Sequence, residues 1–294
     1  MNKLRSNKPL ILVLILPALI FFCVALPLPI IDSIRYSFYD WNLVGEMKFV
    51  GLGNYIKLFT HDLIFFEAFI NTFLYTLGSM VLQLPFAMLL AVLLSKPLRG
   101  KKFFRNVFFL PVTISGTAVA LLWQLIYHPR LGILNGLLSL FTSDFSNKVW
   151  LADSNFALWA VVIAVSWQWI GYHTLLYITG ISTIPEDINE AAMIDGAVGW
   201  RLFRYITLPM LKPILKVSAV LIVAGSIKAF DSVYVLTSGG PAHSSTVLAL
   251  HMYNSAFQQM RYGYGSAIST ILLVLCIVMT WIVTVIFKSN QDQT

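Results

Sequence analysis

Apolar residues in this chain run in long blocks instead of alternating with polar ones. A helix crosses a bilayer in about 20 residues at 1.5 Å each. Six blocks reach that length, at approximately 9–31, 71–94, 103–127, 156–180, 214–236 and 266–287. The pattern predicts an all-α membrane protein of six transmembrane helices, in a single domain over residues 1–294. Pro17, Pro27, Pro85 and Pro111 lie in these blocks or at their ends. Within a bundle such prolines bend a helix without ending it, because neighbours satisfy the freed carbonyls. Lys3, Arg5 and Lys8 precede the first block like the charged start of a signal peptide. Its apolar run is longer than such a leader carries, and Phe22 before Cys23 argues against a lipoprotein cleavage site, so a retained anchor is expected. No internal repeat stands out, so the inverted-repeat pattern of many secondary transporters is missing.

Composition sharpens the class. The 294 residues are 58% hydrophobic and 11% charged, against about 45–50% and about 25% in soluble domains. Mean hydropathy is +0.78. These values exclude soluble, disordered and collagen-like chains. The net charge of +7 would point to nucleic acid in a soluble protein. Here its distribution explains it. With the N-terminus inside, Lys3, Arg5, Lys8, Lys96, Arg99, Lys101, Lys102, Arg105, Arg201, Arg204, Lys212, Lys216 and Lys288 fall on the inner side. Arg35, Lys48, Lys57, Arg130, Lys148 and Arg261 fall outside. A bias of roughly two to one sets the orientation, with both termini cytoplasmic. No nucleic-acid partner is needed. Cys23 and Cys276 both lie in apolar runs and read as small hydrophobes, not as a disulfide or metal pair; no metal site is expected.

The outer connections, at about 32–70, 128–155 and 237–265, carry Tyr36, Tyr39, Trp41, Trp150, Tyr262 and Tyr264. Such rings suit an interfacial belt or a docking surface. The inner segment 181–213 differs. Thr183 and Glu186 have capping-box spacing, Pro185 falls in a first turn, and Glu186, Asp187 and Glu190 suit a helix N-terminus. Gly196 fits the position just past a helix end, and a second short helix is expected over Val198–Ile206. Pro209 and Pro213 lead into the fifth block. The segment predicts a helix–turn–helix lying against the membrane. Met193, Ile194, Trp200, Leu202 and Phe203 are too many apolar residues for it to bury alone. They mark either an interaction site or a helix resting in the lipid interface.

Glu190-Ala191-Ala192, three residues ending in Asp195, then Gly196, nine residues, Ile206, one residue and Leu208-Pro209 match the whole E-A-A-x3-G-x9-I-x-L-P pattern. This resembles the coupling loop of ABC importer permeases. Phe49-Val-Gly-Leu-Gly-Asn-Tyr55, Trp169-Ile-Gly-Tyr172, Phe230-Asp231, Gly239-Gly-Pro-Ala242 and Tyr262-Gly-Tyr-Gly-Ser-Ala267 are similar to segments of the sugar branch, with its maltose- and glycerol-phosphate-type systems. The chain looks like the first of the two permease subunits such systems encode. The resemblance implies a type I importer permease fold in a bacterial or archaeal cytoplasmic membrane. It implies a second permease, a cytoplasmic ABC ATPase dimer and an extracytoplasmic solute-binding protein as partners. ATP and Mg would sit on the ATPase, with no cofactor on this chain. It further implies that Ala191 and Ala192 let the coupling helix seat closely on the ATPase, that Glu190 pairs there with a basic group, and that Gly196 makes the turn.

Two sets of residues at membrane depth are candidates for a solute path. Lys228 and Asp231 lie three apart on the expected fifth helix. They line a passage for a hydroxylated solute or neutralise each other as a structural pair. Trp169, Tyr172 and His173 share a face of the fourth. They suit a sugar ring or serve as helix packing, while Trp167 points away. The chain has no G-x-x-x-x-G-K-[ST] loop and no H-E-x-x-H, so no catalytic residue is assigned and the chain is read as a transport subunit. An ion-coupled secondary transporter is the alternative; it would need more carboxylates in its spans than Asp231.

Overall fold

The computed structural model describes residues 8–96, 99–142, 145 and 147–287. Lys3, Arg5 and Lys288 of the charge count lie outside them. The described chain is mostly helical, and two helices share its first block. Helix α1 (Lys8–Ala25) and α2 (Pro27–Tyr36) run on as one apolar helix from Leu12 to Tyr36. A two-stranded antiparallel ribbon, β1 (Tyr39–Asp40) with β2 (Lys48–Phe49), and α3 (Gly53–His61) follow. The second block is α4 (Leu63–Ser95), the short α7 (Ile133–Leu138) precedes the fourth block, and the fourth is α8 (Ala157–Ser182). The sixth is α14 (Tyr262–Ile286). Among the described residues four helices are thus long and apolar enough to cross a membrane, and up to six spans result if each of two bent pairs counts as one.

The bent pairs correct the expectation of continuous helices in blocks three and five. In block three, α5 (Lys101–Phe109) tightens into a 3₁₀ turn over Leu110–Thr113, and α6 (Gly116–Ile126) leaves at 103°. Two residues inside the apolar run cause this. Pro111 lacks the N–H that would continue the ladder. Ser115 starts a new helix by accepting from the Ala118 N–H at 3.3 Å. Around block five, α10 (Trp200–Met210) meets α11 (Lys212–Ile227) at 68°. Phe203–Thr207 of α10 is π-helical, a wider turn preceding Pro209, which has no amide hydrogen to donate. Block five itself breaks after Ile227, and α12 (Asp231–Thr237) starts anew. Lys228 and Asp231 therefore flank a helix break and do not share a helix face.

The chain divides into two compact units. One comprises residues 1–62 and 252–271. In it the Asn54 amide donates to the carbonyls of Ser37 (2.8 Å) and Tyr39 (2.9 Å), and Tyr55 and Ser37 hydroxyls meet at 2.7 Å. Gly263 N–H donates to Trp41 at 3.0 Å, and a Cβ at Gly263 would overlap the Tyr39 carbonyl oxygen. The Tyr264 hydroxyl donates to Asp62 at 2.6 Å. Tyr36, Trp41 and Tyr262 form one aromatic cluster. The two separated motifs around Asn54 and Gly263 are thus parts of one folded unit.

The other unit comprises residues 63–251 and 272–294, with α8 at its centre. Small residues let neighbours approach α8 closely. A Cβ at Gly171 would overlap the Phe108 carbonyl, and one at Gly180 would overlap Ile214. Tyr75, Val161, Val162, Val233 and Leu250 fill one core, and Ala87, Ala91, Tyr177 and Leu211 another. Short α13 (Leu248–Tyr253) is started from outside its own segment. Thr72 of α4 accepts from the Leu248 N–H at 2.9 Å while donating to Ala68.

Candidate translocation cavity and coupling loop

A cavity of about 620 Å³ opens within the second unit, between α4, α8 and the two helix breaks. Trp169, Tyr172, His173, Lys228 and Asp231 all line it. The structure brings these two sets, from two separate blocks, to one cavity. Trp169 and Tyr172 meet edge to face with ring centroids 6.0 Å apart, and Tyr172 and His173 at 5.3 Å. Trp167 is absent from the lining and packs on Trp123 at 5.8 Å.

Lys228 and Asp231 are exposed, and among the described residues neither forms an ion pair. The expectation of a self-neutralising pair is not met. The break at 228–230 separates the two backbones, so helical spacing no longer brings the side chains together. Tyr75, Gln83, Gln168, Ser226 and Ser232 also line the cavity and were not singled out from sequence. Gln83 and Gln168 carried the available signal, being uncharged polar residues inside apolar blocks. Gln168 donates to the Ile114 carbonyl at 3.0 Å, at the break between α5 and α6. Behind the cavity, the buried His173, Ser218 and Tyr177 are joined through Ser218, at 2.8 and 2.7 Å.

The coupling segment is helical on both sides of a turn. Helix α9 (Glu186–Ile194) starts after Pro185, not through a capping box. Thr183 is already used at the end of α8, where its hydroxyl donates to the Gly180 carbonyl at 2.8 Å. At the other end Gly196 has φ +77°. Its N–H donates to Met193 at 3.0 Å, and the Ala197 N–H donates to Ala192 at 2.8 Å. This is a Schellman end, which needs the left-handed residue that glycine supplies without strain. The second helix is α10, starting at Trp200 and running to Met210, past the Val198–Ile206 expected.

Ala191 is exposed but Ala192 is buried inside the chain. Only Ala191 presents its small side chain outward; Ala192 lets α9 pack on its own unit. Glu190, Asp195 and Gly196 are exposed, while Ile206, Leu208 and Pro209 are half-buried. Ile194, Val198, Trp200 and Tyr205 leave most of their surface open, from 61% to 86%. That is an apolar patch on a loop otherwise rich in acids.

Residues 83–290 match the family described as the inner membrane component of binding-protein-dependent transport systems. The chain is 37% identical over 98% of its length to the probable ABC transporter permease protein YurN of Bacillus subtilis, covering 99% of that protein. It is 32% identical to the trehalose/maltose transport system permease protein MalF of Thermococcus litoralis, covering 95% of this chain and 94% of the relative. The fold is shared with a chain of a bacterial ABC transporter involved in alginate import, at TM-score 0.83, 23% identity and 97% coverage of both chains. The chain belongs to the family of binding-protein-dependent transport permeases. It is a multi-pass membrane subunit of an ABC importer, from a family of non-catalytic transport components, and membership favours this class over an ion-coupled carrier.

Proposed function

We propose that this chain forms half of the path of an ATP-driven importer for a sugar, an oligosaccharide or a related polyol or glycerol phosphate. The cavity carries the reading. It offers two ring faces, from Trp169 and Tyr172, beside His173, Lys228, Asp231 and two glutamines. A pyranose presents C–H faces to rings and hydroxyl edges to polar groups, and this lining supplies both kinds of partner. The relative named for trehalose and maltose supports the same solute class.

The coupling loop is the second half of the proposal. Exposed Glu190, Ala191, Asp195 and the apolar patch dock on a cytoplasmic ATPase. Ala192, Gly196, Ile206, Leu208 and Pro209 hold the two helices at the angle that docking requires. ATP and Mg stay on that partner, and no cofactor binds here. A second permease completes the path, and an extracytoplasmic solute-binding protein delivers the solute. The subunit lies in a bacterial or archaeal cytoplasmic membrane with both termini inside.

The test is reconstitution with the second permease, ATPase and binding protein encoded beside it, in proteoliposomes supplied with labelled maltose or trehalose. Uptake is expected only with ATP. Uptake driven by an ion gradient without ATP, or none of either sugar, overturns the reading.

A further inference from the structure

His173 is almost wholly buried, at 3% exposure, yet it contributes to the cavity wall. Its Nδ1 lies 2.8 Å from the Ser218 hydroxyl. Tyr177, one turn further along α8, donates its own hydroxyl to Ser218 at 2.7 Å. Both Ser218 and Tyr177 are fully buried. Ser218 has one hydrogen to place. If His173 Nδ1 were protonated, Ser218 would accept from both neighbours and leave that hydrogen unpaired in an apolar interior, which is costly. One arrangement satisfies every group: Tyr177 donates to Ser218, and Ser218 donates to His173 Nδ1. The ring then carries its hydrogen on Nε2. Among the described residues Nε2 has no partner, yet it is not sealed from the surface as a buried unsatisfied atom would be. His173 lines the cavity, so that is where Nε2 meets a solute.

We infer that Tyr177 and Ser218 are positioning residues that fix His173 in the Nε2–H tautomer, making it a hydrogen-bond donor to an oxygen of the transported solute. The relay excludes the reverse role. A site that offers a fixed donor rejects a solute carrying a donor there, because two hydrogens then face each other. The solute group that fits is an acceptor oxygen, such as a hydroxyl, a ring or glycosidic oxygen or a phosphoryl oxygen. This rests on the sugar-path reading for the solute but not for the tautomer.

The first measurement needs no solute. In the assembled transporter in lipid nanodiscs, with ¹⁵N-labelled histidine, the His173 signal is assigned by its loss in His173→Gln. A single Nε2–H tautomer is expected in the wild type, and a mixture of both in Ser218→Ala. An Nδ1–H signal in the wild type overturns the relay. The second measurement uses radiolabelled maltose as the probe. His173→Phe keeps a ring but loses the donor, and raises KM about tenfold with kcat retained. His173→Gln, with an amide donor, stays within about twofold, and Ser218→Ala raises KM about threefold. An unchanged KM in His173→Phe overturns the donor role. Absence of maltose uptake in the wild type counts against the proposed function, while the tautomer result still decides the relay.

Discussion

The side-chain amide of Gln168 donates to the main-chain carbonyl of Ile114 across 3.0 Å. That carbonyl is freed because the third apolar block breaks there, in the extended residue between the 3₁₀ turn and Ser115. Gln168 itself is buried on the long central helix and lines the cavity. One residue thus serves the break and the cavity together. Gln168→Leu leaves the Ile114 carbonyl without this donor and costs about 1 kcal/mol. The check is the thermal unfolding midpoint of the purified assembly, which falls in Gln168→Leu.

The coupling turn gives a sharper outcome. Gly196 holds φ +77° with space around it, so the cost of a side chain is conformational and not steric. Gly196→Ala costs about 1 kcal/mol through the left-handed backbone, with uptake reduced but present. Gly196→Pro cannot reach a positive φ and also loses the N–H that donates to Met193. It abolishes uptake while the chain still inserts and assembles, as membrane-fraction blotting will show. Glu190→Lys, a charge reversal on an exposed site, gives the same phenotype. Normal ATP-dependent uptake by both variants in proteoliposomes sinks the coupling role.

At the cavity, Trp169→Ala combined with His173→Ala removes one ring face and the buried imidazole. Sugar uptake at subsaturating concentration drops by about tenfold or more. Trp167→Ala, which leaves the lining intact, serves as the control and retains uptake. Equal rates for the wild type and the double variant would remove these residues from the path.

The segment before the fourth block carries a pH-sensitive contact. The Lys148 ammonium donates to Asp153 at 2.6 Å, and the Asn155 N–H donates to the same carboxylate at 3.0 Å. Together they hold the Asp153 carboxyl below the usual carboxylate range. A lowered folded value stabilises the folded segment at pH above about 4, the ordinary carboxylate range. That stabilisation is lost as pH falls through the folded value. Carbon-13 titration of the Asp153 carboxyl checks this: its midpoint rises toward the ordinary value in Lys148→Met. An unmoved midpoint refutes the assignment to Lys148.

Much of this arrangement was legible in the sequence because length and apolarity specify a span directly. The helices α4, α8 and α14 and the first helix, Leu12–Tyr36, all match apolar blocks. Gly196 was legible for a local reason, since a glycine after a run ending Met193-Ile194-Asp195 has one conformational use there. The breaks in blocks three and five were hidden because an apolar run carries no record of bending. Pro111 and Ser115 were the signals in block three, and each is a single residue whose effect depends on packing. Thr183 misled because a threonine between two helices can serve either end; its bond to Gly180 shows which it serves. The resemblance implied that both Ala191 and Ala192 seat on a partner, but only the packing of α9 determines which of two adjacent alanines is covered, and it covers Ala192.

Lys228 and Asp231, which form no ion pair among the described residues, bear on the solute path proposed above. Both side chains are exposed at the cavity and, among the described residues, neither is ion-paired, so water must solvate them. The passage is therefore wet when no solute occupies it. On the proposed sugar path, a solute entering such a space gives up its hydration while the wall gives up its own, and solute hydroxyls take over hydrogen bonds that water made. Entry is then an exchange of solvents with little net change in hydrogen bonding, so the passage can accept a polar solute without holding it too tightly to release.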